Sequence, residues 1–432
     1  MMVPRTRLLV SVAAVLLPCS VAGALVPGSL VSCVLIAVLF SGIAGADAFF
    51  SRNALAGIRA EFPPVCRMIA ERPAEIPLHL TNAALAPRPL RIGLALPAEI
   101  NSPAPDLNLI APAGASHSSW PCTPSRRGRY ALDSVYLETP SILGLWSMRR
   151  VSPVRAELRV YPNLRKEHIE TLFLNRGNFG THLFRQVGKG REFEKLREYS
   201  PGDSYDEIDW KATARRGRPI TRVFQVERTQ EVYVVIDTSR LSARGATLDR
   251  FVSAALALGL AAERQGDLFG LVAFGKQLHR FVRAKNGKPH YAACRDAIYS
   301  LQAEKHSPDF DELCAFLRLR LRRRALLIFL TELDDPVLAE SFIHNVKLIS
   351  RQHLILVNML RPAGASPLFR DSDVQDVDDI YRRFAGHLVW HKLRETEKVL
   401  GNAGVRFSLL DPARLSAELV ASYQSIKARQ LI

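Results

Sequence analysis

The spacing of apolar and polar positions changes three times along this chain. The first stretch has no polar period at all, because residues 8–46 contain no Asp, Glu, Lys or Arg. One helical span of a bilayer takes roughly 20 residues. This run is long enough for two spans, and Pro27 is followed by Gly28 and Ser29 near its middle. The pattern predicts a transmembrane helical hairpin, with helices at 8–26 and 30–50 joined by a tight turn. A signal peptide would also place Arg5 and Arg7 ahead of an apolar core and small residues at 22–24. A second long apolar run follows at once, which favours the hairpin.

Between 58 and 162 the period falls to two, as in EIPLHLTN (75–82) and LRIGLALP (90–97), with Pro and Asn clusters between the runs. Residues 126–146 read as two strands around turns, and 157–162 as another. Several short strands at this spacing predict a small β-sandwich. Residues 163–190 carry Gly177, Gly180, Gly188 and Gly190 with little pattern, and read as a connector.

Beyond 230, apolar strands alternate with helical periods. Strands fall at 232–237, 267–275, 325–331, 353–359 and 405–410, and 279–284 reads as an antiparallel edge strand. Helices fall at 249–265, 288–301, 309–320, 337–350, 379–402 and 412–427. Strands without a polar face, separated by helices, predict an α/β, doubly wound, mostly parallel sheet. The organisation is therefore multi-domain: an N-terminal hairpin segment (1–57), a sandwich (58–162), a connector (163–190) and an α/β domain with a charged extension (191–432).

Charge refines this picture. The 432 residues carry a formal +16, which suits nucleic acid, anionic lipid or an acidic protein partner. The apolar hairpin favours the lipid bilayer, and no recognised motif points to nucleic acid. Arg5 and Arg7 precede the hairpin and Arg52 and Arg59 follow it, so the positive-inside tendency places both termini and the soluble domains in the cytoplasm. The six Cys form no CxxC or tight cluster. They predict neither a disulfide framework nor a zinc site, as suits a reducing compartment.

The extension at 191–237 alternates both charge signs, with Tyr199, Tyr205, Trp210 and Phe224 among them. It reads as a folded segment that pairs its own charges and packs on the strand that follows, turning at Pro201, Gly202 and Asp203. The run YSPGDSYDEIDWKATARRGRPITRVFQVER resembles the hallmark segment of a bacterial family called domain of unknown function 58. That family joins the segment to a von Willebrand factor A-like (Rossmann-like) domain. The order RRGRY, GLW, VYP at 126–162 is similar to the domain that precedes the segment there. The resemblance implies an inner-membrane protein that works with a MoxR-type AAA+ ATPase, in chaperone-like assembly or maturation of envelope or other complexes. It also implies that Arg191, Arg197, Asp203, Asp209, Trp210, Lys211 and Arg215 dock the partner, or else knit the extension to the sheet through paired charges and a buried Trp. This chain has Asp206 where many members have Arg.

The resemblance also implies a metal motif of the form Asp-x-Ser-x-Ser after the first core strand, with oxygen ligands for Mg2+. Here Asp237 and Ser239 are present but Leu241 stands at the second Ser. Only Ser307 or Asp309 lies near the place of a central Thr, and Glu332 follows Thr331 where Asp is usual, with Asp334 and Asp335 beyond. The degenerate metal set is thus Asp237, Ser239 and Glu332.

Other motifs are weaker. GLVAFGKQ (270–277) has the GxxxxGK spacing but an apolar middle and no Ser or Thr after Lys. Ser204 in GDSY has no Asp-x-x-His downstream and no GxSxG. His387 and His391 share a helix face without a Glu at the HExxH position. The basic run at 317–325 has no interleaved aromatic residues for stacking. No nucleophile, base and anion hole converge, so no catalytic residue is predicted and the chain reads as an interaction protein. The alternatives are a metal-dependent ligand-binding domain without an ATPase, and a hydrolase.

Overall fold

A computed structural model describes residues 1–26, 28–84, 86–164, 187–201, 204–225, 230–368 and 376–429. The chain divides into two compact units, Met1–Asn163 and Leu164–Ile432.

The first unit opens with a short strand, β1 (Met2–Pro4), and two apolar helices, α1 (Thr6–Leu25) and α2 (Leu30–Ser51). Both helices are long and apolar enough to cross a membrane. Their apolar side chains, among them Leu9, Leu17, Val31, Leu35 and Leu39, face outward and not into a protein core. Strands β2 (Ile58–Glu61), β3 (Val65–Ile69), β4 (Ala74–Asn82), β5 (Arg88–Leu94) and β6 (Ile100–Asn101) follow. The unit closes with β7 (Asp106–Ala111), β8 (Gly114–Pro124), β9 (Gly128–Pro140) and β10 (Trp146–Tyr161).

One sheet runs β1-β10-β9-β5-β7 with β3 on β10, and the other runs β2-β4-β8-β6. Alternate residues of both meet in one core, including Ile76, Leu78 and Trp120 from one sheet and Ile92, Leu132 and Leu158 from the other. Residues 126–146 do not form two strands. They hold the single strand β9 and the turn into β10, and β10 itself continues through 157–161. A register shift between Pro153 and Ala156 lets β10 bend past a proline that cannot donate to the ladder.

The base of the hairpin is sewn to the turn between β9 and β10. Asp47, only 4% exposed, accepts the Ser141 hydroxyl at 2.6 Å and the Leu143 amide at 3.0 Å. Trp146 Nε1 donates to the Ala44 carbonyl at 2.9 Å, and the Arg5 amide to the Leu145 carbonyl at 3.0 Å. An acid at the end of an apolar helix is tolerable because each of its oxygens has a donor.

The second unit begins with β11 (Val187–Glu198), a 3-10 turn (Tyr205–Glu207), α3 (Trp210–Arg216) and β12 (Ile220–Gln225). The α/β part follows: β13 (Glu231–Asp237), α4 (Thr247–Arg264), β14 (Leu268–Phe274), β15 (Leu278–Lys285), α5 (Lys288–Ile298) and α6 (Phe310–Arg320). It ends with β16 (Leu326–Leu330), α7 (Pro336–Ser350), β17 (Leu354–Leu360), α8 (Val377–Asn402), β18 (Arg406–Leu410) and α9 (Leu415–Ala428).

The sheet order is β15-β14-β13-β16-β17-β18. Every neighbouring pair is parallel except β14 with β15. Successive residues of β13 feed opposite cores: Val232, Val234 and Ile236 meet α4, α5 and α9, whereas Tyr233 and Val235 meet α6, α7 and α8. Burial on both faces is why these strands carry no polar alternation. Gly270 is required where β14 passes Tyr233, since a Cβ there would lie 2.4 Å from the Tyr233 ring. GLVAFGKQ is therefore sheet interior and its hairpin, not a phosphate loop.

Candidate functional site

In a doubly wound sheet, ligands bind beyond the carboxyl ends of the strands, where the strand order reverses. That point here lies between β13 and β16, and the loops after them carry Asp237–Ser242 and Thr331–Asp335. Asp237, Ser239 and Thr331 are each fully buried. Asp237 Oδ1 accepts the Ser239 amide at 2.8 Å, and Oδ2 accepts the Thr331 hydroxyl at 2.6 Å. The Ser242 hydroxyl donates to the Asp237 carbonyl at 2.7 Å, and the Leu241 amide to Ser239 Oγ at 3.3 Å. Burial pushes the Asp237 carboxyl above its usual range, and the Thr331 and Ser239 hydrogen bonds offset part of that.

Glu332 points to the neighbouring strand, where its Oε1 accepts the Leu360 amide at 3.3 Å. Burial pushes its carboxyl up to about 8; the Leu360 bond opposes this, and the charges of Asp334 and Asp237 reinforce it. Near neutral pH its uncharged form is therefore favoured. Around it opens a cleft of about 550 Å³, lined by Leu241, Arg244, Arg250, Glu332, Arg361 and Asp411 among others.

The rim is held by ion pairs. Arg244 pairs with Asp334, and Arg240 reaches Ser307 Oγ at 2.9 Å and Asp335 at 3.4 Å. Asp309 and Asp335 are helix caps, accepting the Glu312 and Val337 amides at 2.9 and 3.0 Å. Such exposed pairs add little stability, but they fix where the loops stand.

A magnesium ion takes six oxygens in near-octahedral order. The group around Asp237 does not fit it. Both Asp237 oxygens are already engaged, the buried Leu241 side chain offers no donor, and Glu332 accepts the Leu360 amide on the neighbouring strand. Among the described residues no three His, Cys, Asp or Glu side chains converge on one point. What the arrangement does instead is lock the loop after β13 to the end of β16.

The extension is built differently from its reading in sequence. β11 and β12 pair with each other and not with the six-stranded sheet. Its buried positions Ile208 and Ile220 join none of the three hydrophobic clusters. Charges do pair within it. Asp209 Oδ1 accepts the Ala212 amide at 3.0 Å as the cap of α3, and Oδ2 accepts Arg222 Nε at 3.0 Å. The Ala212 bond first, and Arg222 with it, hold the Asp209 carboxyl below its usual range. Arg218 meets Glu198 at 2.5 Å, and Arg197 reaches Ser200 Oγ at 3.2 Å. Gly217, at φ 67°, ends α3 in the left-handed region that glycine adopts freely.

Trp210 is not buried. It is 68% exposed, and Tyr205 is 74% exposed. A buried Trp cannot follow from α3 because no described residue of that helix is buried. Lys211 and Arg215 are exposed on the same helix. Asp203 and the side chain of Arg191 lie outside the described residues, as does most of the 163–190 connector. His387 stacks on Trp390 with ring centroids 5.6 Å apart and stands 6.3 Å from the His391 ring, which turns to Glu395 at 3.6 Å. Arg318, Arg320 and Arg322–Arg324 are exposed while Leu317 and Leu321 between them are buried, the pattern of a solvated helix end.

Sequence reasoning missed the neutral character of Glu332 and the cleft beside it. The signal available was one carboxylate at 332 next to two more at 334 and 335, with Arg240 and Arg244 after the first strand.

Comparisons with known proteins agree with the motif. An uncharacterised protein of Mycobacterium tuberculosis is 28% identical over 209 residues, 46% of this chain and 62% of that one. The protein YeaD of Bacillus subtilis, also uncharacterised, is 25% identical over 167 residues, 38% of this chain and 40% of that one. The matched region thus spans less than two thirds of either relative. Among solved structures, proximal thread matrix protein 1 of the mussel byssus is 12% identical with a TM-score of 0.28, over 45% of each chain. A PapD-like domain of human CEP192 is 12% identical with a TM-score of 0.18, over 25% of this chain and 87% of that one. Likenesses that slight carry no argument. Residues 195–376, from within β11 to the residue before α8, match the family model described as Protein of unknown function DUF58.

Proposed function

We propose that this protein is a membrane-anchored interaction module. In this reading the apolar hairpin crosses the bilayer, the soluble units lie in the cytoplasm, and a von Willebrand A-like domain with its charged extension meets a protein partner. The observation that carries it is the exposure of Trp210 and Tyr205, at 68% and 74%, on an extension braced by its own charge pairs. A large aromatic side chain left in water on a rigid short helix is typical of binding hot spots, where Trp and Tyr are enriched. The exposed Lys211 and Arg215 beside them suit an acidic partner surface.

The 3-2-1-4-5-6 strand order supports the von Willebrand A-like reading. The family resemblance supports a MoxR-type AAA+ ATPase as the partner, in chaperone-like assembly of envelope or other complexes. Binding without turnover fits the groups around Asp237, which satisfy one another and leave no nucleophile with a base.

The test is crosslinking of the full chain in native membranes, with and without ATP, followed by identification of the captured proteins. The reading expects a MoxR-type ATPase that is lost on Trp210→Ala and retained on a control substitution in the exposed loop at Ile142. Capture that is indifferent to Trp210 would remove the docking role. Absence of any such ATPase in every nucleotide state would remove the partner.

A further inference from the structure

The outer face of the smaller sandwich sheet carries a second site. Ile76, Leu78 and Leu80 of β4 are at most 2% exposed, so strand alternation turns Glu75, Pro77, His79 and Thr81 outward. On β8 the buried Trp120 opposes Ile76, and the same antiparallel register sets His117 opposite His79. Directly paired residues share a face and stand close together. Here the two Nδ1 atoms are 2.6 Å apart and the ring centroids 4.6 Å apart. One nitrogen must donate and the other accept, since two lone pairs cannot face each other without a proton between them. On the other side of β4, the register of β2 sets Glu61 opposite His79. Glu61, His79 and His117 thus stand in one exposed row across three adjacent strands.

We propose that this row binds a borderline first-row divalent cation, Zn2+ or Cu2+. The two Nδ1 atoms are ligands, the Glu61 carboxylate is the third, and water completes the shell. Imidazole and carboxylate are the donors these ions prefer. Nitrogens bonded to one ion at about 2.0–2.1 Å stand roughly 3.2 Å apart, so the rings must open by well under 1 Å. Rotation about the side-chain bonds supplies that without moving the ladder. Glu61 must swing toward His79, because no three such side chains already converge among the described residues. The ion sits between β4 and β8, about one and a half strand spacings of about 4.8 Å from β2, so Glu61 reaches it fully extended and with the His79 ring leaning toward β2. When the ion enters, the donor ring moves its proton from Nδ1 to the solvent-facing Nε2, so both rings bind as neutral imidazoles and no redox equivalent is consumed. The water positions remain open to a ligand from another molecule.

The test uses the full chain in detergent micelles, purified without a polyhistidine tag. Calorimetric titration with zinc chloride should find one tight ion per chain, and the Cu2+ complex should show hyperfine coupling to two nitrogens. His79→Asn and His117→Asn should each weaken binding by roughly tenfold or more, and Glu61→Gln severalfold. All three side chains are exposed, and circular dichroism unchanged from wild type checks that the fold is kept. A double His79→Asn, His117→Asn variant that binds as tightly as wild type overturns the site. A Glu61→Gln variant with unchanged affinity overturns the third ligand.

Discussion

Glu332→Gln isolates the electrostatics of the cleft. Burial moves the Glu332 carboxyl from its ordinary 4.5 up to about 8. Between those values the unfolded chain has released its proton while the folded chain still holds it. Folding therefore takes up a proton in that window, and stability falls as pH rises from about 4.5 to about 8, then levels off. At about 1.4 kcal/mol per pH unit the interval sets a ceiling of about 5 kcal/mol. The cleft is open to water, so the effective dielectric is high, and the Arg244 charge opposes the shift; roughly 2 kcal/mol is the expected loss. Gln keeps the oxygen that accepts the Leu360 amide and cannot ionise. Asp237, also shifted upward, adds a slope of the same sign to both proteins. The assay is denaturant unfolding of the full chain in detergent micelles, wild type and variant, near pH 5 and near pH 8. The variant should be the more stable at the higher pH, and the gap between the two proteins should shrink toward the lower. Parallel pH profiles would show that Glu332 ionises normally, and the argument from burial would fail.

Other expectations follow from the same contacts. Asp237→Asn, which can still accept the Ser239 amide and face Thr331, should cost less than about 1 kcal/mol, whereas Asp237→Ala, which strands both partners, should cost about 3 kcal/mol in the same unfolding assay. Gly270→Ala would press a methyl against Tyr233 and should destabilise the second unit by about 1–3 kcal/mol, read as faster amide exchange in β14. Asp47→Ala should free the turn at 141–146, with loss of about 2 kcal/mol and faster proteolysis within that turn.

Much of the architecture was legible because element type is local. Residues 8–46 announce two apolar helices by length and the absence of charge. The runs at 232–237, 325–331 and 353–359 announce buried strands, since burial on both faces leaves no polar alternate positions. The helix starts were close for the same reason: Asp309 and Asp335 have side chains that bond their own amides two or three residues on. The two-strand reading of 126–146 failed because cross-strand pairing with β10 holds 128–140 in one strand, and the next strand begins only at Trp146. Of the two readings of Trp210, a docking residue or a buried knit, the second fails, because Trp210 is 68% exposed and no described residue of α3 is buried.

The sequence by itself determined the order of elements, the apolar hairpin and the family motif, all of which depend on residues within a few positions of each other. Only the tertiary structure decided that Thr331 closes on Asp237 across 94 residues, that burial raises the Glu332 carboxyl, and that His79 meets His117 across 38. Strand register chooses those neighbours, and desolvation sets their charge. Both are properties of the assembled sheet, in which a shift of one residue would turn each side chain to the opposite face.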